Sequence, residues 1–310
     1  AADYITAHSV CWLERFEIDA VRMDTVKHVP LSYFRDEWIP AARAVRPLYL
    51  LGEVFNSNPY DSQRQYLDAG FDGLFDFRLR DALVFGLGHG GSLDDAAQRV
   101  AEAWSALGPR RARLRSLFLE NHDVPRFASE IRAEGNAAVM RYHLALAVMI
   151  TTPGIPQLYA GTELGMAGHW PDNRRDFPGW GFVPEERTPH EGYLGNPGET
   201  FNLTRDLLHL RRARAALHLG DYVELWRPGG SGVPLYAFTR EAGGERVIVT
   251  LSTGPVRQRV PLEDNPHLDE RFPDGALADL LGHTAGARAE IVDGALELDL
   301  PAGTIAVWTR

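Results

Sequence analysis

Apolar and polar residues follow two rhythms along this chain of 310 residues, and the change between them falls near residue 220. Before it, short apolar runs of strand length alternate with stretches in which apolar positions recur every three or four residues, as on one face of a helix. Residues 2–16 predict a helix with Ile5, Val10, Leu13 and Phe16 on one face, leading into a strand over 18–24. A second amphipathic helix over 31–45 stops before Pro47, and a buried-type strand follows over 48–54. The alternation continues with a helix or turn over 60–69, a short strand over 73–77, a helix over 93–107 and a strand over 117–119. A helix over 137–150, a strand over 155–159 and a last helix over 201–219, its arginines on the outer face, complete this part.

Strands of about five residues alternating with helices specify a parallel sheet with the helices outside. The class is α/β, a partial (β/α)8 TIM barrel with five countable strands where a closed barrel takes eight. After Asp221 short β-type runs are separated by Gly, Pro and Asp, at 222–226, 235–239, 246–251, 290–292, 296–300 and 304–309. They predict an all-β antiparallel sandwich, so the expected domains are 1–220 and 221–310. Residues 165–199 are irregular and rich in Gly, Pro, Trp and charge, and a loop of that length after a barrel strand points to function.

Composition narrows the partners. With 45% hydrophobic residues the chain can bury a substantial core. A net charge of −10 and the absence of a Lys/Arg block argue against nucleic acid and against an anionic membrane, and favour a neutral substrate. The single cysteine, Cys11, excludes an intramolecular disulfide and reads as a buried structural thiol. No signal peptide and no apolar stretch of bilayer-spanning length is evident. The compartment stays open, with the bacterial cytoplasm set ahead of secretion.

The chemistry concentrates at strand ends. Arg22 lies inside an apolar run that ends at Asp24, and the alternation of a strand points both side chains to one side, so the arginine is expected to hold Asp24 ionised. An ionised carboxylate in a low-dielectric pocket is a candidate nucleophile. Lys27, the only lysine in a chain with 32 Lys plus Arg, lies three residues further on. Glu53 follows an apolar run and a glycine, a setting that suits a general acid. Asp123 ends a third strand, and acids at neighbouring strand ends converge on one pocket, as glycosidic cleavage requires. Each acid alone also suits the capping of a following helix.

The motifs VRMDTVKH, LLGEVF, FLENHD and GIPQLYAGTELGM, in this order, resemble the α-amylase clan of glycoside hydrolases, especially its cyclomaltodextrinase, neopullulanase and maltogenic amylase relatives. The resemblance spans essentially the whole chain, the terminal sandwich included. It implies a retaining α-glucan hydrolase or transglycosylase, with Asp24 as nucleophile, Glu53 as general acid/base and Asp123 as the acid that holds the sugar hydroxyls. It also implies that Arg22 orients Asp24, that His122 bonds the same sugar, and that Lys27 and His28 line the aglycone side. No cofactor is needed for this chemistry; a structural calcium, if the family's site is kept, would take the backbone carbonyl of His28.

Other polar residues are two-sided in sequence. Asp172, Asn173, Arg174 and Arg175 suit contacts with sugar hydroxyls, Arg175 being the candidate carried forward, and suit a structural ion-pair cluster equally. Trp170 and Trp180 suit stacking on glucose or loop packing; Glu163 suits a supporting role at the site or a capping one. The family's first three barrel strands and its first motif have no counterpart here, so the expected partners are an α-glucan and the remaining barrel strands, from the same protein or a second chain; relatives that dimerise also admit a homodimer. Two readings compete: a non-catalytic amylase-like glycan-binding protein, and a different barrel enzyme whose carboxylates bind a metal.

Overall fold

The computed structural model describes residues 1–178, 192–229, 231–262 and 273–310. Its first part is built from five parallel strands, β1 (Ala20–Met23), β2 (Tyr49–Gly52), β3 (Gly73–Leu74), β4 (Ser116–Leu117) and β5 (Ile155–Pro156). β1, β2 and β3 are neighbours in that order, β4 pairs β5, and a parallel bridge from Phe75 to Ser116 joins the two sets. The strands are shorter than the apolar runs predict, because each run continues past its paired segment into the loop that carries the polar residues. In β1 the period of two is visible: Val21 and Met23 pack on the helix-side core with Val26, Leu50 and Trp38, and Arg22 points to the other side. On that inner side Phe75, Phe77, Phe118 and Val124 form a small apolar cluster.

The helices cover the outer side. Ala2–Arg15 precedes β1, and Trp38 Nε1 donates to Ser9 Oγ at 3.0 Å to dock the next helical stretch on it. That stretch runs Leu31–Tyr33, Phe34–Trp38 and Ile39–Val45 as one rod. Its middle turn is a π-turn just before Pro40, whose ring supplies no N–H to a regular ladder. The helix over Asp94–Arg113 extends beyond the predicted 93–107 through a kink at Gly108, where φ is 77°. Phe77–Ala82 and a π-helical continuation, Leu83–Gly90, are helical where no helix was expected. Four glycines between 86 and 91 hide the period, and burial of Leu79, Leu83 and Leu87 supplies the stability that propensity does not. Among the described residues no helix is long and apolar enough to cross a membrane.

Two buried networks brace this part. Asp76 caps the Phe77–Ala82 helix through Leu79 N–H at 2.9 Å, accepts from Tyr60 Oη at 3.0 Å, and forms an ion pair with Arg115. Arg115 Nη2 donates onward to Pro153 O at 3.0 Å, tying β3 to the start of β5. The expectation that the arginines of the last helix face outward fails at Arg211, which is buried in Pro197–Ala213. Its guanidinium donates to Ile150 O at 2.6 Å and Thr152 O at 3.2 Å, closing the C-terminal end of the Gly135–Thr151 helix, where free carbonyls attract a cation.

From Asp221 the chain is antiparallel. β6 (Asp221–Trp226), β7 (Leu235–Ala242), β8 (Glu245–Ser252), β9 (Val256–Pro261), β10 (Gly275–Ala276), β11 (Ala278–Asp279), β12 (Arg288–Val292), β13 (Ala295–Leu300) and β14 (Ile305–Thr309) form two sheets, ordered β11-β14-β8-β7-β6 and β10-β12-β13-β9. Gly243 and Gly244, at φ 59° and 84°, make the two-residue turn of the β7–β8 hairpin, which L side chains enter at a cost. The five-stranded sheet is covered on both faces: Tyr236, Phe238, Val247 and Val249 join the core of the preceding helices, and Leu235, Ala237, Ile248 and Trp308 face the other sheet. This explains why β7 and β8 read as nearly continuous apolar runs.

Candidate active site

Strand register brings the first two acids together. Arg22 in β1 lies opposite Leu51 in β2, two residues before Glu53. Its guanidinium reaches both carboxylates, Nη1 to Asp24 Oδ1 at 2.6 Å and Nη2 to Glu53 Oε1 at 2.9 Å. The second oxygen of Glu53 accepts the backbone N–H of Thr25 at 3.1 Å. Thr25 adopts φ 53°, a left-handed conformation that β-branched residues seldom take, and this turn aims its N–H at the carboxylate. Glu53 is 4% exposed, so these donors compensate its loss of water. The sequence placed Glu53 in an apolar setting with Arg22 serving Asp24; instead one guanidinium serves both acids. Arg22 also keeps a side-chain exposure of 35% and is not enclosed on two faces, with the Phe75 ring 5.8 Å from its guanidinium carbon.

Across the cleft, Asp123 lies in the turn after β4. Asn121 Oδ1 accepts the N–H groups of Asp123 at 2.8 Å and Val124 at 3.2 Å, a local bond that bends the chain and presents Asp123 at its tip. His122 Nε2 lies 3.1 Å from Asp123 Oδ2, and Arg174 Nη2 lies 3.4 Å from Asp123 Oδ1. Lys27 Nζ donates to Phe55 O at 2.6 Å and sits 5.6 Å from the centre of the Phe55 ring, fixing the loop beyond Glu53. Asp24, Glu53, Asp123, Lys27, His28 and His122 thus line one cleft of about 520 Å³, together with Thr25, Phe55 and Arg174.

Other candidates fall elsewhere. Arg175 is not brought into the cleft: its Nη2 donates to Ala167 O at 2.6 Å and Gly192 O at 2.9 Å and holds the loop to itself. Arg174, its neighbour, takes the place at the cleft, because the short turn Asp172–Arg174 directs successive side chains apart. Glu163 Oε2 accepts Gly161 N–H at 3.0 Å and closes a turn, as in the capping alternative. Trp170 is 72% exposed, and Trp180 lies outside the described residues. Sequence reading passed over Phe55 and Thr25; their one signal was adjacency to Glu53 and Asp24.

Behind the Asp123 turn a buried pair fixes its base. Glu120 accepts from Arg126 Nη1 at 2.9 Å, Phe127 N–H at 2.6 Å and Thr162 Oγ1 at 2.8 Å, while Arg126 lies 4.2 Å from the centre of the Tyr159 ring. Burial raises the Glu120 carboxyl above its usual range, with Arg126 opposing. Among the described residues no group of three or more His, Cys, Asp or Glu could hold a metal ion. The His28 carbonyl is one oxygen where calcium takes about six to eight. The Arg22 cation, moreover, occupies the space between Asp24 and Glu53 that a shared metal would need.

The chain has counterparts among known proteins. A cyclomaltodextrin glucanotransferase of Niallia circulans is 26% identical over 306 residues, covering 96% of this chain and 38% of that protein. An alpha-amylase of Streptomyces lividans is 26% identical over 268 residues, covering 78% of this chain and 29% of that one. The chain therefore spans under two fifths of the length of these curated relatives. Among solved structures, an Anoxybacillus alpha-amylase superposes with a TM-score of 0.80 at 25% identity, over 99% of this chain and 62% of that one. An alpha-amylase of Geobacillus thermoleovorans, complexed with acarbose, shares the fold at a TM-score of 0.81 and 24% identity, over 99% of this chain and 63% of its own. The model of the alpha amylase catalytic domain matches residues 3–206, from the first helix to the middle of the last long one, and the chain belongs to that family.

Proposed function

We propose that this chain carries the three catalytic carboxylates of a retaining enzyme acting on α-1,4-glucosidic bonds of maltooligosaccharides, starch or cyclodextrins. The observation that carries the reading is the single guanidinium of Arg22 bonded to both Asp24 and Glu53, with Asp123 in the same cleft. A shared cation draws two carboxylates together, which favours the separation of about 5–5.5 Å used for retention over the about 6.5–9.5 Å that leaves room for an inverting water.

In this mechanism Asp24, the more exposed of the pair at 56% of its side chain, attacks the anomeric carbon while protonated Glu53 donates to the glycosidic oxygen. Glu53 then acts as base toward the water that cleaves the glycosyl-enzyme. Asp123, with His122 beside it, holds sugar hydroxyls whose bonds strengthen as the ring flattens toward an oxocarbenium ion. Lys27 and Phe55 lie on the Glu53 side, where the leaving group departs. Phe55 lines the cleft and is 40% exposed, an apolar surface for an acceptor sugar, which supports transfer as a second outcome of the same intermediate. The five strands correspond in this reading to strands 4 to 8 of the barrel, and the edges of β1 and β5, unpaired among the described residues, receive the other βα units.

The test is turnover of maltooligosaccharides with the product anomer followed by NMR, in the chain and in a form extended by the remaining strands, with Glu53→Gln in the extended form. Turnover with retention that Glu53→Gln abolishes is expected. Acarbose or maltooligosaccharide binding without any turnover of the extended form would instead make the protein a glycan-binding relative.

A further inference from the structure

Three backbone carbonyls of the turn that carries Asp123 converge on one buried amide. Asn173 is 0% exposed, and its Nδ2 donates toward Val124 O at 2.9 Å, His122 O at 3.2 Å and Asn121 O at 3.5 Å. An asparagine amide has two N–H groups, so the three acceptors share them. The neighbours fix the orientation, since the oxygen in that place would face three carbonyl oxygens. Asn173 is itself held, its backbone N–H donating to His169 O at 2.9 Å. Arg174 Nε adds a bond to His122 O at 2.9 Å, and Arg126 N–H donates to Gly168 O at 2.9 Å, so the segment over 168–174 straps the turn over 121–126 from outside. Asn121 Oδ1 clamps the same turn from within.

We propose that Asn173 is a positioning residue for Asp123. It touches neither sugar nor reacting atoms. Through the peptide planes of residues 121–124 it sets the direction in which the Asp123 carboxylate enters the cleft. Without its donors, the buried residues Asn121 and Val124 lose the side-chain partner of their carbonyls while His122 O keeps Arg174 Nε, and a buried unpaired acceptor is costly enough to turn the peptides toward water. Rotation of those planes carries the Asp123 side chain with it. The catalytic consequence rests on the proposed role of Asp123; the clamp on the turn does not.

The experiment uses the whole protein with Asn173→Leu, which keeps the volume and removes the donors, and Asn173→Ala, whose space admits a water to the same carbonyls. Hydrogen exchange is read at the amides of Asp123 and Val124, with Ala147 and Val148 in the core helix as reference. In Asn173→Leu the two turn amides are expected to lose about tenfold protection while the reference amides hold. The same variant is expected to lose about 10²-fold in kcat with KM much less changed, and Asn173→Ala to fall between it and the parent on both readouts. Unchanged protection in both variants overturns the proposal, and so does lost protection with kcat intact. If the parent protein binds maltooligosaccharide but never cleaves it, the reading of the site has failed, and the exchange result alone decides whether Asn173 holds the turn.

Discussion

The Arg22 guanidinium reaches Glu53 Oε1 at 2.9 Å from the neighbouring strand while its other arm holds Asp24 at 2.6 Å. A planar fork can serve two acids at once with fixed geometry; an ammonium on a flexible stem cannot. Arg22→Lys is therefore expected to lower kcat by about 10²-fold with little change in melting temperature, since it keeps the charge and loses the two-armed alignment. Steady-state kinetics and a thermal melt on the same preparation check it. Activity within a few-fold of the parent would show that alignment of the two acids does not depend on the fork.

The next arginines separate contact from scaffolding. Arg174 lines the cleft and lies 3.4 Å from Asp123 Oδ1, whereas Arg175 is spent on the carbonyls of Ala167 and Gly192. Arg174→Ala is expected to reduce kcat/KM for maltooligosaccharides about tenfold or more with a normal melt. Arg175→Ala is expected to act through local stability, raising protease sensitivity around Ala167 with a smaller kinetic effect. The reverse assignment of the two phenotypes would restore Arg175 as the cleft residue.

These residues also mark what the sequence does and does not reveal. That Asp24, Glu53 and Asp123 meet in one cleft is legible because acids that end successive apolar runs lie at neighbouring strand ends, although each alone suits a helix cap. The Arg22–Asp24 pair follows from strand alternation alone. The Arg22–Glu53 pair does not, since it depends on the register that sets Arg22 opposite Leu51 across 31 residues of sequence. Arg174 and Arg175 are alike in composition and neighbourhood, and only the turn over Asp172–Arg174 decides which faces the cleft. Arg211 looks like surface charge in a helical period, yet it is drawn inward by the open carbonyls of another helix. Helix Phe77–Ala82 is too short to show a period and the glycines of its continuation Leu83–Gly90 hide one, and the stability of both is tertiary.

Buried ion pairs carry a different expectation. Asp76 and Arg115 are almost fully enclosed, with side-chain exposures of 0% and 4%, and each also bonds other groups, Tyr60 among them. Removing one partner leaves an uncompensated charge inside the protein, so Arg115→Ala is expected to cost about 3–5 kcal/mol of stability. Denaturant unfolding of both proteins measures it. Asp76→Asn with Arg115→Met, which removes both charges together, is expected to recover a large part of the loss; failure to recover any would place the cost in the lost packing and not in the stranded carboxylate.

His143 lies in the Gly135–Thr151 helix, its Nε2 2.9 Å from Thr200 Oγ1 in the helix packed alongside. Burial first, and the charge of His283 second, lower its pKa from the ordinary 6.5 to about 4. The sign follows from proton counting. Between those values the unfolded chain binds a proton that the folded protein refuses, so acid favours unfolding. The stability that neutral His143 contributes is intact above about pH 6.5 and is lost progressively as pH falls toward about 4. His143→Gln keeps a polar group within reach of Thr200 and cannot take up a proton in this range. Its melting temperature is expected to fall less than that of the parent between pH 7 and pH 4.5, measured in buffers of equal ionic strength. Parallel curves for the two proteins would mean that His143 is not the proton acceptor.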